Sequence, residues 1–293
     1  MKIQTFSIVV GGPACNAHCP YCVSKMTKGC EHKEIHVENI NMRNFRKACN
    51  FAKMSGVSTA LLTGVGEPTL YKSHIEAYLK VLKEFDFPFV ELQTNGIELT
   101  RLDGGKDTHK WYDLKDWYDY GLTTVSLSCV HYEDNRNKEI FGDKWASLSD
   151  NIKLLHRNGL SVRVSCVMLD KYIGSIDEVH GMIDFCRKNN VEQLTVRPVT
   201  APEDSENQDI RNWVYNNKLQ ASNYEKVQNH FHDYGFLLLD LAHGAKVYDY
   251  YGQNISVNSC LTHSPNLDEV RQLIFQPDGH IRFSWTHAGA ILI

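Results

Sequence analysis

The sequence predicts an α/β fold built on a parallel sheet, from two patterns that alternate over the first 200 residues. The first is a series of six short apolar runs of strand length, at 3–10, 58–63, 88–94, 122–129, 160–168 and 192–198. The second is a set of helical patterns between several of these runs, as crossover connections between parallel strands require. Right-handed crossovers curl such a sheet, so we expect an open, partial (β/α)6 barrel.

The predicted helices have recognisable ends. Two stretches have the capping-box pattern of a helix start: Ser73-x-x-Glu76 and Ser175-x-x-Glu178. Gly56 and Gly159 each follow a segment with helical apolar periodicity and predict two helix ends. The segment 109–120 is rich in Trp and Tyr and predicts a helix packed on the outside.

After about residue 200 the alternation stops, which divides the chain into a core, 1–200, and an extension, 201–293. Residues 201–235 are polar with scattered aromatics and are predicted to be partly helical. Residues 271–285 predict a hairpin whose turn is the Gln-Pro-Asp-Gly segment 276–279. We expect the extension to cover the barrel and shape the substrate site; the alternative is that it only seals an exposed sheet edge.

Composition excludes several classes of protein. The 293 residues carry a net charge of −4, so no basic field indicates a nucleic-acid partner. No apolar run reaches membrane-spanning length, and the N-terminus lacks a signal-peptide pattern, so we expect no membrane partner and a cytoplasmic location. Nine cysteines are an odd number, and a chain of this size does not need a disulfide framework.

Three cysteines follow the first predicted strand closely, at Cys15, Cys19 and Cys22. Thiolates at such short spacing suit a loop folded around an iron–sulfur centre, and three ligands leave one iron of a [4Fe–4S] cluster open. The Cys-x-x-x-Cys-x-x-Cys pattern, with Tyr21 before the last cysteine, resembles the radical S-adenosylmethionine (SAM) superfamily. The resemblance implies a cluster on these cysteines whose open iron chelates SAM, and reductive cleavage of SAM to a 5′-deoxyadenosyl radical. It also implies the partial TIM barrel.

Two alternatives come from other classes of protein. A zinc site could use Cys19, Cys22, Cys30 and His32 at zinc-like spacing, but it leaves Cys15 without a role. A non-catalytic iron–sulfur electron carrier would normally close its cluster with a fourth cysteine.

Strand-end motifs extend the resemblance to a SAM site. The Gly-Val-Gly-Glu-Pro segment 64–68 is similar to the family's Gly-Gly-Glu motif, which holds the ammonium of SAM, although Val65 separates the two glycines here. Thr-Asn-Gly at 94–96 is similar to the segment that many relatives carry after the third strand. The resemblance assigns SAM binding to seven residues: Tyr21, Gly64, Gly66, Glu67, Thr94, Asn95 and Ser128.

Strand alternation places polar pairs on common faces that would point into the barrel: Ser126 with Ser128, Arg163 with Ser165, and Thr195 with Arg197. A guanidinium can clamp a carboxylate or phosphate, so we predict that Arg163, Ser165 and Arg197 bind substrate. The alternative for an inward arginine is an ion pair with a barrel acid such as Glu91.

Over residues 1–200 the order of motifs is most similar to the single-cluster branch of the family that contains viperin and the cyclase of molybdenum-cofactor synthesis. We therefore expect a radical SAM enzyme that abstracts hydrogen from a small anionic metabolite or nucleotide, with modification of a peptide as the alternative. An electron donor such as flavodoxin or ferredoxin is the expected partner.

Overall fold

The computed structural model describes residues 2–26, 34–102, 113–201, 205, 207–241, 244–258, 269–285, 287 and 289–292. The described part of the chain forms eleven strands: β1 (Lys2–Val9), β2 (Thr59–Thr63), β3 (Phe89–Thr94), β4 (Thr124–Cys129), β5 (Ser161–Met168), β6 (Gln193–Pro198), β7 (Phe236–Asp240), β8 (Lys246–Tyr250), β9 (Gln253–Val257), β10 (Glu269–Phe275) and β11 (Ile281–Arg282). Its α-helices are α1 (Val23–Met26), α2 (Met42–Met54), α3 (Lys72–Leu82), α4 (Leu99–Leu102), α5 (Asp113–Asp119), α6 (Asp134–Phe141), α7 (Leu148–Arg157), α8 (Ile176–Lys188), α9 (Gln208–Asn217) and α10 (Ala221–Tyr234).

All eleven strands of the described chain belong to one sheet, in the order β11-β10-β1-β2-β3-β4-β5-β6-β9-β8-β7. Strands β1 to β6 are parallel neighbours, which confirms the predicted parallel α/β core. Two strands of the extension join this six-stranded core: β10 adds in parallel beside β1, and β9 adds in parallel beside β6. The antiparallel strands β11, β8 and β7 then extend the two edges. The extension therefore continues the core sheet on both sides.

The two faces of the sheet differ in chemistry. One face is apolar and packs on helices: the rings of Phe6 in β1 and Phe275 in β10 lie 6.1 and 4.9 Å from the ring of Phe45 in α2. The alternate residues of the other face are largely polar. Thr63 there donates to Gln93 Oε1 at 3.1 Å, from one strand to the next. Barrel interiors are ordinarily filled by branched apolar side chains, so this polar inner face suits a polar ligand.

The helix ends agree with the predictions at three of four positions. Ser175 forms a complete capping box with Glu178 at the start of α8. Gly56 and Gly159 follow α2 and α7 with φ of 79° and 83°, the left-handed conformation that ends helices.

The capping box predicted at Ser73 is wrong. Helix α3 begins one residue earlier, at Lys72, and its N-cap Tyr71 makes no side-chain capping hydrogen bond. A 3₁₀ turn, Pro68–Leu70, runs directly into α3 through Tyr71, so the chain is already coiled before Ser73.

The helix expected over 109–120 is α5, while residues 103–112 lie outside the described residues. Its Trp117 is fully buried. This helix therefore supplies part of the core as well as its outer layer.

The extension contains the predicted helical segment, as α9 and α10, and the predicted hairpin, as β10 and β11. In the hairpin turn Gly279 N donates to Gln276 O at 2.8 Å. Among the described helices we find none with both the length and the apolar character needed to cross a bilayer.

Candidate functional site

The three predicted cluster ligands lie on one loop at the carboxyl end of β1, which we call the cysteine loop (residues 11–22). All three are free thiols; Cys15 is exposed, and Cys19 and Cys22 are half-buried. Cys22 N donates to Cys19 O at 3.2 Å, and Met26 N donates to Cys22 O at 3.2 Å. A tight turn around the last two cysteines thus leads straight into α1.

The thiols are close enough to influence one another. Burial, together with the neighbouring Cys22 and Cys15, raises the pKa of Cys19 to about 12. Burial also raises the pKa of Cys15. Binding these groups as thiolates therefore calls for a positively charged centre between them.

The arrangement suits a cluster better than a single ion. Across the residues that the structure describes, no three His, Cys, Asp or Glu side chains gather closely enough to hold one metal ion. In a cluster each thiolate binds a different iron, so the three sulfurs need not converge on one point. Cys30 and His32 of the zinc alternative lie outside the described residues.

The glycines of the strand-end loop 64–67 pack against the cysteine loop. A Cβ on Gly66 would lie 2.2 Å from Ala14 O and 2.6 Å from Gly12 O, so no side chain fits there. Glu67 N donates to Ala14 O at 2.9 Å. A Cβ on Gly64 would meet Val10 O at 3.1 Å. These glycines bring two backbone segments of the protein together and so fix the position of the cysteines.

The Glu67 side chain is 3% exposed and accepts four hydrogen bonds from the protein. Its Oε1 accepts from Thr69 N at 3.0 Å, Thr69 Oγ1 at 2.6 Å and Thr94 Oγ1 at 2.6 Å, and its Oε2 accepts from Asn95 N at 2.9 Å. Burial raises the pKa of this carboxyl, while the Asn95, Thr69 and Thr94 donors act in the opposite direction. Glu67 therefore ties the end of β2 to the end of β3.

Asn95 continues this connection to the cysteine loop. Its Nδ2 donates to Asn16 Oδ1 at 2.8 Å and lies 3.9 Å from Cys15 Sγ. Asn16 Nδ2 in turn donates to Glu98 Oε1 at 3.1 Å. The sequence analysis missed Asn16, Thr69 and Glu98; the position of Asn16 inside the cysteine motif was the one signal that could have indicated the first.

Arg163 takes the alternative that the sequence left open for an inward arginine. Its Nη2 pairs with Glu91 Oε1, and its Nε donates to Ser126 Oγ at 3.4 Å. Burial raises the pKa of Glu91, and the Arg163 charge opposes that shift. The guanidinium is thus occupied within the sheet, which removes the main reason for assigning it to substrate.

Ser165 and Arg197 lie in a different environment. Ser165 pairs in register with Ser128 on one side and Thr195 on the other, so three hydroxyl residues cross the inner face in a row. Thr195 Oγ1 and Arg197 Nε are buried and have no hydrogen-bond partner among the described residues. Buried polar groups ordinarily have partners, so this part of the inner face has capacity for a polar ligand.

Tyr21 connects the cysteine loop to the extension. Its ring lies 6.0 Å from that of Trp213 in α9. Burial raises the pKa of Tyr21 well above its ordinary value, and the charge of Arg197 acts in the opposite direction. Arg197 therefore lies within electrostatic reach of the ring, and α9 packs beside the cysteines.

Known proteins share this architecture. The model of the radical SAM superfamily matches residues 9–203. Molybdenum cofactor biosynthesis protein 1 of Drosophila melanogaster is 28% identical over 183 residues, which are 61% of this chain and 29% of that protein. Streptococcus suis SuiB bound to SAM matches 97% of this chain and 60% of its own, with a TM-score of 0.62 and 15% identity. Native anSMEcpe with bound AdoMet matches 97% and 75%, with a TM-score of 0.57 and 15% identity.

The chain thus spans less than a third of the curated relative and three fifths of SuiB. The family model nevertheless covers the whole run of strands from the end of β1 to the end of β6, including the cysteine loop and both strand-end motifs. Enzymes of this family use a [4Fe–4S] cluster and SAM, and the free thiols at the end of β1 are the donor set that such a cluster needs. The chain therefore belongs to the radical SAM superfamily.

Proposed function

We propose that this radical SAM enzyme abstracts hydrogen from a small anionic metabolite or nucleotide bound on the inner face of the sheet. The observation that carries the proposal is the pair of buried, unpartnered groups on β6, Thr195 Oγ1 and Arg197 Nε. A guanidinium with an unused donor is suited to a carboxylate or phosphate, and a neighbouring hydroxyl adds a second polar contact.

The residues present fit the cofactors. Cys15, Cys19 and Cys22 would hold the cluster, and the loop 64–67 packed on them forms a backbone cradle beside it. When bound, the cluster and SAM supply a 5′-deoxyadenosyl radical that removes hydrogen from carbon. This chemistry needs a reductant, for which we propose a protein donor such as flavodoxin or ferredoxin.

The remaining candidates would hold SAM in place. Glu67 fixes the ends of β2 and β3, and only its Oε2, which accepts a single hydrogen bond, has capacity left for the SAM ammonium. Thr94 and Asn95 are engaged with Glu67 and the cysteine loop, so we assign them mainly to positioning. Ser128, on the inner face beside Ser165, is the candidate for the ribose, and Tyr21 for contact with the cofactor next to the cysteines.

For substrate we retain Arg197 and Ser165 and assign Arg163 to the ion pair with Glu91. The contact between Trp213 and Tyr21 supports the proposal that residues 201–293 help to cover the site. A cover is needed because a carbon radical open to water and buffer would react with them.

Modification of a peptide is the second candidate. SuiB, whose fold this chain shares over 97% of its length, has also been solved with a precursor peptide, SuiA. The likeness extends over the α9, α10 and hairpin region and not only over the core, which keeps a peptide substrate under consideration.

Release of 5′-deoxyadenosine by the anaerobically reconstituted enzyme tests the proposal. Anionic metabolites and nucleotides should stimulate release, whereas their neutral analogues and peptides should not. In Arg197→Ala the stimulated rate at subsaturating substrate should fall about 10–150-fold, the equivalent of losing one charge-assisted hydrogen bond worth about 1.5–3 kcal/mol.

Arg46→Ala is the matched control, because Arg46 is an exposed arginine paired only with Glu84 among the described contacts. It should leave both the basal and the stimulated release unchanged. Equal stimulation in wild type and Arg197→Ala would refute the assigned anion site, and stimulation by peptides alone would favour the second candidate.

A further inference from the structure

Two histidines and a tyrosine outside the SAM site place three donor atoms in a small triangle. His180 Nε2 lies 3.2 Å from His230 Nε2, His230 Nε2 lies 2.9 Å from Tyr250 Oη, and Tyr250 Oη lies 3.0 Å from His180 Nε2. His180 belongs to α8 of the core, His230 to α10 and Tyr250 to β8. We call this set the His–Tyr triangle.

Hydrogen bonds cannot give each edge of the His–Tyr triangle a proton of its own. A ring nitrogen that carries a proton has no lone pair left, so it can donate but not accept. If the hydroxyl donates to one imidazole and the other imidazole donates to the hydroxyl, the edge between the two nitrogens must share a proton in a bifurcated bond. If both nitrogens are protonated, two N–H groups face each other. Protons alone therefore leave at least one of the three short contacts weakly bonded.

A metal ion explains all three contacts. Zinc binds imidazole nitrogen at roughly 2.0–2.1 Å, so two ligands of a tetrahedral site lie roughly 3.3 Å apart. The observed edges of 2.9–3.2 Å are close to this separation. An ion above the plane of the triangle would contact all three atoms, and its fourth position would face away from them.

The surroundings hold the three rings in place while leaving access. The His180 ring is stacked on the Tyr250 ring at 5.6 Å between centroids, and the ring of Phe231 lies 5.0 Å from that of Tyr250. Both histidines are only half-buried, so a water molecule or another ligand can reach the fourth position. Three protein ligands with water in the fourth position are an established form of zinc coordination.

The neighbouring charges are mixed. Arg187 Nη2 donates to Tyr250 O at 2.6 Å and so directs its charge at a backbone carbonyl. Asp184 lies 3.5 Å from Arg187, and Asp233 is near enough to raise the pKa of His230. The two carboxylates offset the single guanidinium.

We propose that the His–Tyr triangle binds one divalent first-row metal ion, for which zinc is the natural probe. The ion would be held by His180 Nε2, His230 Nε2 and Tyr250 Oη. Its ligands would join the core helix α8 to α10 and β8, so the ion would fasten the extension to the core.

Metal binding also releases a proton. Binding forms a metal–oxygen bond and breaks the phenol O–H bond of Tyr250, and the proton passes to solvent.

The test uses the full-length protein with its cluster reconstituted, so that the cysteine loop is occupied. One equivalent of zinc chloride is added, unbound metal is removed by gel filtration, and zinc per chain is measured by mass spectrometry. Wild type should retain about one zinc, and the His180→Gln/His230→Gln double variant none. The control His156→Gln, which changes a histidine paired only with Glu192 among the described contacts, should retain as much as wild type.

Three further readouts keep the test decisive. Zinc should raise the thermal midpoint of wild type and of His156→Gln but not that of the double variant, since an ion that binds only the folded state stabilises it. Losing a residue that only hydrogen-bonds to a metal ligand lowers metal affinity by about 10–100-fold. In Tyr250→Phe a ligand itself is lost, so the zinc affinity should fall by more than this. The ultraviolet tyrosinate difference band should appear when zinc binds to wild type.

A wild-type protein that retains no zinc, or a double variant that retains as much as wild type, would overturn the proposal. If the double variant does not fold, the wild-type protein alone decides: no zinc retention, or retention without the tyrosinate band, contradicts the assigned ligands.

Discussion

Replacing Glu67 by Gln should destabilise the fold at the centre of the proposed SAM site. The carboxylate accepts four hydrogen bonds: two from backbone N–H groups, of Thr69 and Asn95, and two from the hydroxyls of Thr69 and Thr94. A glutamine offers one acceptor oxygen and one NH₂ group at the same place. The threonine hydroxyls can turn and accept from the NH₂ group, but the two backbone N–H groups cannot reverse.

The magnitude follows from this count. The two backbone donors point at different carboxylate oxygens, so at least one loses its acceptor in either orientation of the amide. An unsatisfied buried donor costs about 1–3 kcal/mol, and the one backbone bond that remains changes from a charged to a neutral acceptor, which is weaker by about 1 kcal/mol. We expect a loss of about 2–4 kcal/mol in the free energy of unfolding.

Equilibrium urea unfolding of the full-length chain, followed by circular dichroism, measures the loss. Glu84→Gln is the matched control, because Glu84 is an exposed glutamate paired with Arg46, and its free energy of unfolding should hardly change. Calorimetric titration with SAM should show weaker binding to Glu67→Gln, since the ends of β2 and β3 lose their common anchor. A Glu67→Gln protein as stable as Glu84→Gln would refute the assignment of Glu67 as the link between these strand ends.

Three further outcomes are expected. Alanine at all three cysteines of the cysteine loop should reduce iron per chain to near zero. The control Cys260→Ala, at a position outside the described residues, should leave the iron content unchanged. Stoichiometric iron in the triple variant would contradict the assignment of the cluster to this loop. Gly66→Ala should reduce iron and SAM binding together, because its Cβ would lie 2.2 Å from Ala14 O, whereas Gly289→Ala, with open space around it, should leave both unchanged. Burial lowers the pKa of His131, so the folded protein keeps this imidazole neutral. Below about pH 6.5 the unfolded chain takes up a proton that the folded protein does not yet bind. The free energy of unfolding should therefore fall as the pH is lowered from about 6.5 through the lowered native pKa. The fall in unfolding free energy between about pH 7 and 5 should therefore be smaller in His131→Gln, and equal slopes would contradict this source of the pH dependence.

The core sheet was predictable because each of its parallel strands carries apolar residues at least at every second position over a strand-length segment. Most of its helices carry end signals that depend only on neighbouring residues. Strands β7, β8 and β9 of the extension were not predictable. Strands β8 and β9 meet at a two-residue turn, Tyr251-Gly252, with φ of 50° and 87°. A tyrosine rarely adopts that conformation, so the usual Asn-Gly or Gly-Gly signal of such a hairpin is missing.

The pairing of β10 with β1 could not be read from the sequence for a different reason. A hairpin pattern indicates which strand a segment turns back on, but not which distant strand lies on its other side. Thr5 and Gln272 are register partners across that boundary, although no local pattern relates them.

The residues of the candidate site also fall into those that the sequence could predict and those that it could not. The cysteines were readable because their chemistry depends on spacing within one loop, whereas Asn16, Thr69 and Glu98 act only through contacts made after folding. Arg163 was correctly expected to point inward, but its choice between Glu91 and a substrate depends on distances across three strands. Arg197 stays a prediction, supported by its unpartnered Nε.

The position of β1 between β2 and β10 has a consequence for the order in which the protein matures. Strand β2 is synthesised about fifty residues after β1, but β10 follows more than 250 residues later. A nascent chain therefore presents the cysteine loop at the end of a strand with one unpaired edge until nearly all of the chain has emerged. Contacts so distant in sequence form slowly, and open edges invite wrong partners in the meantime. Removing residues 269–292 would take away the parallel neighbour of β1 and leave that edge of β1 unpaired.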